Sequence, residues 1–182
     1  MNQFTYDLQR TTQKLTPKHL LIFLFSAAIF ALFLAYVSQY VFGLQPCELC
    51  FWQRKPFFAI IAVVASFLVI PPLKKHQNLA IKIAVFLLLI NAIIAFYHAG
   101  VEQKWFKGLD SCSSTASQPE TLEELKLSLE KTKSVRCDQP QFIFLGLSMA
   151  GWNVLYCLGL AVLIIYYSSI ATNKTNVLSS SS

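Results

Sequence analysis

The sequence predicts an all-α membrane protein, a bundle of four transmembrane helices. Of its 182 residues, 55% are hydrophobic and 13% are charged, which is too apolar for a soluble domain of this size. The apolar residues form long runs, and most of the charges lie in the gaps between them. The formal net charge of +6 is therefore distributed as in a membrane protein, not as in a nucleic-acid-binding surface. Neither a glycine-rich phosphate loop nor an internal repeat is present.

The first predicted span covers residues 19–44 and follows a polar segment, residues 1–18. It is much longer than the apolar part of a signal peptide and long enough to cross the roughly 30 Å hydrocarbon core. Ala27, Ala31 and Ala35 recur every four residues, and such a small-residue ridge is typical of a helix-packing surface. We therefore expect a retained transmembrane helix.

The second span, residues 51–73, reaches the required length only when its first turns are included. That extension predicts that Arg54 and Lys55 lie at the membrane interface, where basic side chains extend towards the headgroups. Two consecutive prolines end the span, and a basic turn, residues 74–78, follows. The third span covers residues 79–99.

A polar segment, residues 100–144, separates the third span from the fourth, residues 145–170. Within it, a capping box at Thr121 precedes leucines that share one helix face. This pattern predicts a short amphipathic helix on the membrane surface or against the bundle; a solvated loop helix is the alternative. In the third span, Asn91 predicts an interhelical hydrogen bond. The serine-rich tail, residues 171–182, is expected to be disordered.

A Cys-x-x-Cys motif, Cys47 and Cys50, occupies the predicted loop of residues 45–50. Two thiols at this spacing can close a small disulfide or hold a metal ion. If a helix begins near Cys50, its N-terminus and Arg54, one turn further on, both favour the reactive thiolate form. A stapled turn and half of a metal site are the alternatives for this stretch alone.

Two further cysteines, Cys112 and Cys137, lie in the long polar segment, two spans after the motif. All four thiols therefore face one compartment, opposite the termini. Seven of the 15 basic residues lie on the terminal side and the other eight on the cysteine side, so the count alone does not decide the orientation. We give most weight to the short basic turn and the basic N-terminus, which predict cytoplasmic termini and cysteines in the oxidising compartment.

Two thiol pairs on one membrane face suggest a relay, because disulfide exchange passes two electrons between pairs. The loop pair is accessible to a protein partner, and the motif at the membrane surface is accessible to a lipid-soluble acceptor. A quinone is the obvious acceptor, and Arg54 is placed to donate to its carbonyl. The rival is a four-cysteine zinc site, but Cys112 and Cys137 are 25 positions apart instead of forming a second close pair. We interpret Cys157, inside the fourth span, as an inert small hydrophobe.

These motifs together resemble the DsbB family of bacterial inner-membrane thiol oxidases, over most of residues 20–170. The resemblance rests on Pro46 with the Cys-x-x-Cys motif, Arg54, Tyr97-His98, Cys112, Cys137, Phe144-Leu145-Gly146-Leu147, Met149 and Trp152. It implies a four-helix bundle in the inner membrane, with both termini in the cytoplasm. It also implies re-oxidation of a periplasmic thioredoxin-fold partner of the DsbA type.

The resemblance also implies a role for each cysteine. The partner's thiol attacks Cys112, and Cys137 resolves the mixed disulfide or passes the electrons on. Cys47 is the interchange thiol, and Cys50 contacts the quinone, either ubiquinone or menaquinone. Arg54 is the cation on the quinone side.

For three parts of the sequence, the resemblance implies a role less directly. His98 is implied as a residue near the quinone headgroup; an interfacial histidine that caps a helix end is the equal alternative. Glu48 places an acid between the motif thiols, where it disfavours the thiolate and opposes Arg54. The loop between Cys112 and Cys137 follows no family pattern, which leaves the partner's identity open.

Two other functions are considered. A vitamin K epoxide reductase-like protein is similar in having four helices and two cysteine pairs, but there the loop pair precedes the Cys-x-x-Cys motif. A non-enzymatic membrane scaffold with structural zinc or structural disulfides is the third hypothesis. Metal analysis and thiol trapping separate that hypothesis from the other two.

Overall fold

A computed structural model of the chain describes residues 16–108, 123 and 136–180, with side chains as far as residue 169. It contains four long helices: α1 (Pro17–Tyr40), α2 (Glu48–Val69), α3 (Gln77–Glu102) and α4 (Met149–Ser180). Within the described part of the chain, four helical stretches are long and apolar enough to cross a membrane. The predicted four-helix membrane fold is therefore confirmed. The N-terminal residues 1–15, Cys112 and, apart from residue 123, the amphipathic helix predicted after Thr121 lie outside the described residues.

The bundle is centred on α3, which contacts the other three long helices. Its buried face is rich in alanine, and such small residues let neighbouring helix backbones approach closely. The buried face of α1 is formed by Leu20, Leu21, Leu24, Ala28 and Leu32. The alanine ridge predicted from Ala27, Ala31 and Ala35 is only half-buried and flanks this face, because the leucines determine which side of α1 points inward.

The helix ends differ from the predicted bounds for local reasons. Helix α2 begins at Glu48, before the predicted start, because Cys47 serves as its N-cap. It ends at Val69, and Pro71 opens a short 3-10 helix, Pro71–His76. Helix α4 continues to Ser180, where a disordered tail was expected; residues 171–180 contain no proline or glycine to stop a helix.

A small hairpin, which the sequence did not predict, precedes α4. Strands β1 (Ile143–Phe144) and β2 (Leu147–Ser148) pair antiparallel. Leu145 and Gly146 connect them with positive φ angles of 51° and 80°, as in a tight two-residue hairpin turn. The fourth helix therefore starts at Met149 instead of the predicted residue 145. The Trp152 indole N–H donates to the Phe144 carbonyl at 3.0 Å and ties the hairpin to α4.

Candidate redox site at the cysteine end of the bundle

The two thiols of the Cys-x-x-Cys motif lie at the N-terminus of α2. The Cys47 sulfur accepts a hydrogen bond from the Cys50 backbone N–H at 3.4 Å, and the two sulfurs are 3.0 Å apart. Both are free thiols, Cys47 buried and Cys50 half-buried. The hydrogen bond between the Cys47 and Cys50 sulfurs, together with burial, raises the pKa of the Cys47 thiol, whereas the Cys50 backbone N–H acts in the opposite direction. Glu48 between them is exposed, so water screens its opposing charge.

His98, in the last turns of α3, lies directly against this thiol pair. Its side chain is 3% exposed, so it is not an interfacial histidine in contact with the headgroups. The Nε2 atom is 3.5 Å from the Cys47 sulfur and 3.7 Å from a Glu102 carboxylate oxygen. On the other side of the ring, Nδ1 lies 2.7 Å from the Gln53 side-chain nitrogen. The imidazole therefore contacts the Cys47 thiol with one ring nitrogen and the Gln53 side chain with the other.

Arg54 is buried, which corrects the prediction that it extends to the lipid headgroups. Its Nη1 atom donates to the Gln39 side-chain oxygen of α1 at 2.7 Å, and its guanidinium lies 4.9 Å from the centre of the Tyr36 ring. The neighbouring Lys55 is exposed instead, with its Nζ atom 4.7 Å from the centre of the Trp52 ring. The difference arises because Arg54 is on the face of α2 that packs against α1, where Gln39 offers a polar partner.

A cavity of about 150 Å³ brings the site residues together. Its lining includes Cys47, Cys50, Gln53, Arg54, His98 and Glu102. A larger groove of about 850 Å³ adjoins it between α1 and α4. The two spaces share Ser38, Leu44, Phe142, Met149 and Asn153 in their linings. The rest of the groove is apolar, with Phe30, Leu34, Phe42, Phe144 and Trp152 among its walls. The polar cavity and the apolar groove are thus neighbours that share part of their lining.

Cys137 of the second predicted pair lies next to the motif. It is 1% exposed and belongs to the same buried cluster as Cys47, Leu49 and Val101. Cys137 is disulfide-bonded, whereas Cys47 and Cys50 are not. Cys112 lies outside the described residues. The structure therefore brings one cysteine of the loop pair against the interchange thiol that the resemblance implies.

Two site residues were missed by sequence reasoning, Gln53 and Asn153. The Asn153 side-chain nitrogen of α4 donates to the Gln53 side-chain oxygen of α2 at 2.7 Å. Asn153 also accepts from the Cys157 thiol at 3.5 Å, and the Asn91 side-chain nitrogen donates to the same sulfur at 3.4 Å. The interhelical hydrogen bond predicted for Asn91 is confirmed. Cys157 is buried as expected, but its thiol also forms hydrogen bonds with the side-chain amides of Asn91 and Asn153. Polar residues inside apolar spans were the signal that identified Asn91 and would have identified Asn153.

Three side chains of the site could also hold a metal ion. The ligand atoms of Cys47, Cys50 and His98 lie within 4.8 Å of one another, and two sulfurs with an imidazole suit zinc. The four-cysteine zinc site is not supported, because Cys137 is disulfide-bonded and a disulfide sulfur is not a thiolate ligand.

The chain is similar in sequence to a known protein family and to two proteins described below. Residues 17–167 match the family described as disulfide bond formation protein DsbB. An uncharacterised protein of Rickettsia prowazekii is 30% identical over 155 residues, which is 82% of this chain and 88% of that protein. The disulfide bond formation protein B of Marinobacter nauticus is 30% identical over 163 residues, 81% of this chain and 91% of that protein.

Proposed function

The chain belongs to the DsbB family of disulfide bond formation proteins, and from that premise we propose that it is a quinone-coupled thiol oxidase. In the proposed reaction, the dithiol of a thioredoxin-fold partner of the DsbA type becomes a disulfide. The two electrons and two protons that it loses pass to a quinone, which leaves as the quinol. The family accounts for a membrane protein of disulfide bond formation; the quinone and the partner are our proposal.

The observation that carries the proposal is that a thiol and a buried guanidinium line one cavity, Cys50 and Arg54. A guanidinium has five N–H donors, and among the described residues Arg54 uses two of its nitrogens on Gln39 and the Ala35 carbonyl. Donors therefore remain for a quinone carbonyl. When bound, a quinone would supply an acceptor for two electrons; this chain supplies the thiol and the cation.

The adjoining groove matches the rest of a membrane quinone. Such a molecule combines a polar ring with a long apolar chain, and the cavity and groove combine a polar end with apolar walls. The groove lies between α1 and α4, with aromatic walls from both helices, including Phe30 and Trp152. Ubiquinone and menaquinone both have this form, so the proposal extends to either.

The position of Cys137 supports the order of electron transfer. We propose that the partner's thiol attacks Cys112 of an oxidised Cys112–Cys137 pair and leaves that pair reduced. The reduced pair then opens a Cys47–Cys50 disulfide, and the acceptor restores it. Because Cys137 and Cys47 belong to one buried cluster, the two pairs are close enough in the fold for exchange between them to be proposed.

We propose that the protein lies in the bacterial inner membrane with its cysteines facing the periplasm. Lys74 and Lys75 are exposed on the short 3-10 helix at the opposite end of the bundle. Basic residues in a short connection favour the cytoplasmic side. Thiols at the other end then meet an oxidising compartment, where disulfides persist.

The direct test is quinone reduction, followed by absorbance, by detergent-purified protein with a reduced DsbA-type partner. We expect reduction by the wild-type protein and none by Cys112→Ser, because the partner's electrons enter at Cys112. Cys157→Ser serves as the control that removes a thiol outside both pairs. Failure to reduce either quinone type with several DsbA-type partners would overturn the proposal.

A second candidate function is a scaffold with structural zinc, which the Cys47, Cys50 and His98 cluster favours. Metal analysis of the protein purified under reducing conditions separates the two functions. Stoichiometric zinc that survives dialysis, combined with absence of quinone reduction, would favour the scaffold. Thiols that cycle with the partner and no retained metal would favour the oxidase.

A further inference from the structure

The His98 ring has different partners at its two nitrogens. A neutral imidazole carries a hydrogen on one nitrogen only, and the partner of the other nitrogen determines which. Nδ1 lies 2.7 Å from the Gln53 side-chain nitrogen, which is a donor and never an acceptor. Nδ1 must therefore accept, and the ring hydrogen belongs on Nε2.

The orientation of the Gln53 amide is itself determined by α4. Asn153 donates to the Gln53 side-chain oxygen at 2.7 Å, which leaves the Gln53 nitrogen to face His98. Asn153 in turn accepts from the Cys157 thiol at 3.5 Å, and that sulfur accepts from Asn91 at 3.4 Å. Each group donates to the next, so the hydrogen bonds run in one direction from the middle of the bundle to His98.

The surroundings of Nε2 agree with this direction. The two groups that face it are the Cys47 sulfur at 3.5 Å and a Glu102 carboxylate oxygen at 3.7 Å. An anionic sulfur and a carboxylate both accept hydrogen bonds. An Nε2–H group therefore has two possible acceptors in front of it, the Cys47 sulfur and the Glu102 carboxylate oxygen.

We propose that Gln53 and Asn153 are positioning residues that hold His98 in the Nε2–H tautomer, so that it donates to the Cys47 sulfur. The inference rests on the proposed thiol oxidase and deepens it. When the loop cysteines close into their disulfide, the mixed bond between one of them and Cys47 breaks, and its electron pair stays on the Cys47 sulfur. The Nε2–H group stabilises that charge, which makes Cys47 a better leaving group.

Two single substitutions on different helices test the assignment. Gln53→Glu keeps the shape and still accepts from Asn153, but a carboxylate only accepts, so it draws a hydrogen onto Nδ1 of His98. Asn153→Asp acts one step earlier: its carboxylate attracts the Gln53 amide nitrogen, which turns the Gln53 oxygen towards His98. Both variants should move hydrogen to Nδ1 although neither replaces a cysteine or His98.

The tautomer is read by ¹⁵N NMR of the full-length protein with labelled histidine in detergent. The chain has three histidines, and His98→Gln assigns the resonances of the third. We expect a wild-type spectrum with Nδ1 unprotonated and Nε2 protonated, and a protonated Nδ1 in both variants. Gln103→Glu, an exposed change at the end of α3, adds the same charge nearby and should leave the spectrum unchanged.

Kinetics give the second measurement. Gln53→Glu should lower kcat for quinone reduction by the reduced partner by roughly 100- to 1,000-fold, the range expected when one positioned donor is lost. Its KM for quinone should change much less, whereas a general loss of packing would alter both. Gln103→Glu should match the wild type.

The outcomes separate the inference from the proposed function. A wild-type spectrum with Nδ1 protonated, or a Gln53→Glu spectrum identical to the wild type, would overturn the inference whatever the activity. Absence of quinone reduction in the wild type would overturn the proposed function, while the spectrum still decides the tautomer. If Gln53→Glu does not fold, Asn153→Asp provides the same spectral test from α4.

Discussion

The two ends of the bundle are stabilised by different interactions. At the terminal end, where α1 begins and α2 finishes, the buried side chains include Leu20, Leu24, Val64, Ala80, Ile81 and Ile164. At the cysteine end, the described residues include buried polar groups, Gln53, Arg54, His98 and Ser148. Asn91 lies between the two ends and has a partner on α4. The same four helices therefore form an apolar half and a hydrogen-bonded half.

The difference between the two ends follows from what a bilayer offers to apolar and to polar side chains. Within a bilayer, apolar side chains gain little from meeting each other instead of lipid, so the terminal half depends on close packing. A polar group buried inside the bundle has no water to bind. The buried polar groups at the cysteine end therefore need hydrogen-bond partners on other helices. Changes at the terminal end should affect stability, and changes at the cysteine end should affect activity. Three pairs of variants test this division, and a fourth pair compares two glycines by stability alone.

The largest effect is expected for Cys50→Ser at the cysteine end. It should abolish quinone reduction and leave the fold intact, because a serine hydroxyl cannot form the disulfide. Cys157→Ser, in the middle of the bundle, keeps a donor and an acceptor between Asn91 and Asn153 and should retain most activity. The measurements are quinone absorbance and thermal unfolding in detergent. Normal turnover by Cys50→Ser would contradict the role of this thiol.

Arg54→Ala should raise the KM for quinone by roughly 10- to 100-fold, the loss expected for hydrogen bonds to a charged donor. The affinity for the reduced partner should change little, since Arg54 donates to Gln39 and to the Ala35 carbonyl of α1. Lys55→Ala removes the adjacent exposed cation and should leave both values near those of the wild type. The measurement is the KM for quinone from steady-state kinetics with varied quinone. Equal effects of the two variants on this KM would contradict a specific role for the buried Arg54.

At the terminal end, Leu24→Ala should lower the free energy of unfolding by about 1–2 kcal/mol. This is below the roughly 2–5 kcal/mol of soluble cores, because the transfer from water is absent and the cavity remains. Turnover per folded molecule should not change. Leu34→Ala, on the lipid-facing groove side of α1, serves as the comparison for stability. A large fall in turnover by Leu24→Ala at unchanged stability would show that the two ends are not independent.

The smallest effects are expected for two glycines of the fourth-helix region. Gly146→Ala should destabilise the hairpin by about 1 kcal/mol, because its φ is +80°. Gly159→Ala should stabilise α4 by about 0.5–1 kcal/mol, since a Cβ there meets no atom within 4 Å. Thermal unfolding of both variants gives the sign; a stabilising Gly146→Ala would contradict the turn geometry.

The sequence predicted the parts of the structure that depend on local pattern. Long apolar runs identify spans, and the proline pair after α2 identifies its end, since both act within a few residues. The cysteine motif was recognised for the same reason. Residue contacts between helices could not be predicted in this way. Gln53 and Asn153 are 100 positions apart, and nothing near either residue indicates the other.

The same limit explains the error at Arg54. A basic residue near the end of a span is usually compatible with the interface, and the adjacent Lys55 is exposed. Which of the two turns inward depends on the rotation of α2 about its axis, and therefore on Gln39 of another helix. The start of α4 was missed because the positive φ angles of Leu145 and Gly146 interrupt an otherwise apolar run.

Placing every described site residue at one end of the bundle has an electrical consequence. In the proposed reaction, the thiols that lose protons and the cavity that receives the electrons lie on the same face of the membrane. No charge then crosses the hydrocarbon core, where moving one would involve about 2.3 kcal/mol per 100 mV of membrane potential. If the quinone takes its protons from that same face, the proposed oxidation is electroneutral with respect to the membrane, and its rate should not depend on the membrane potential.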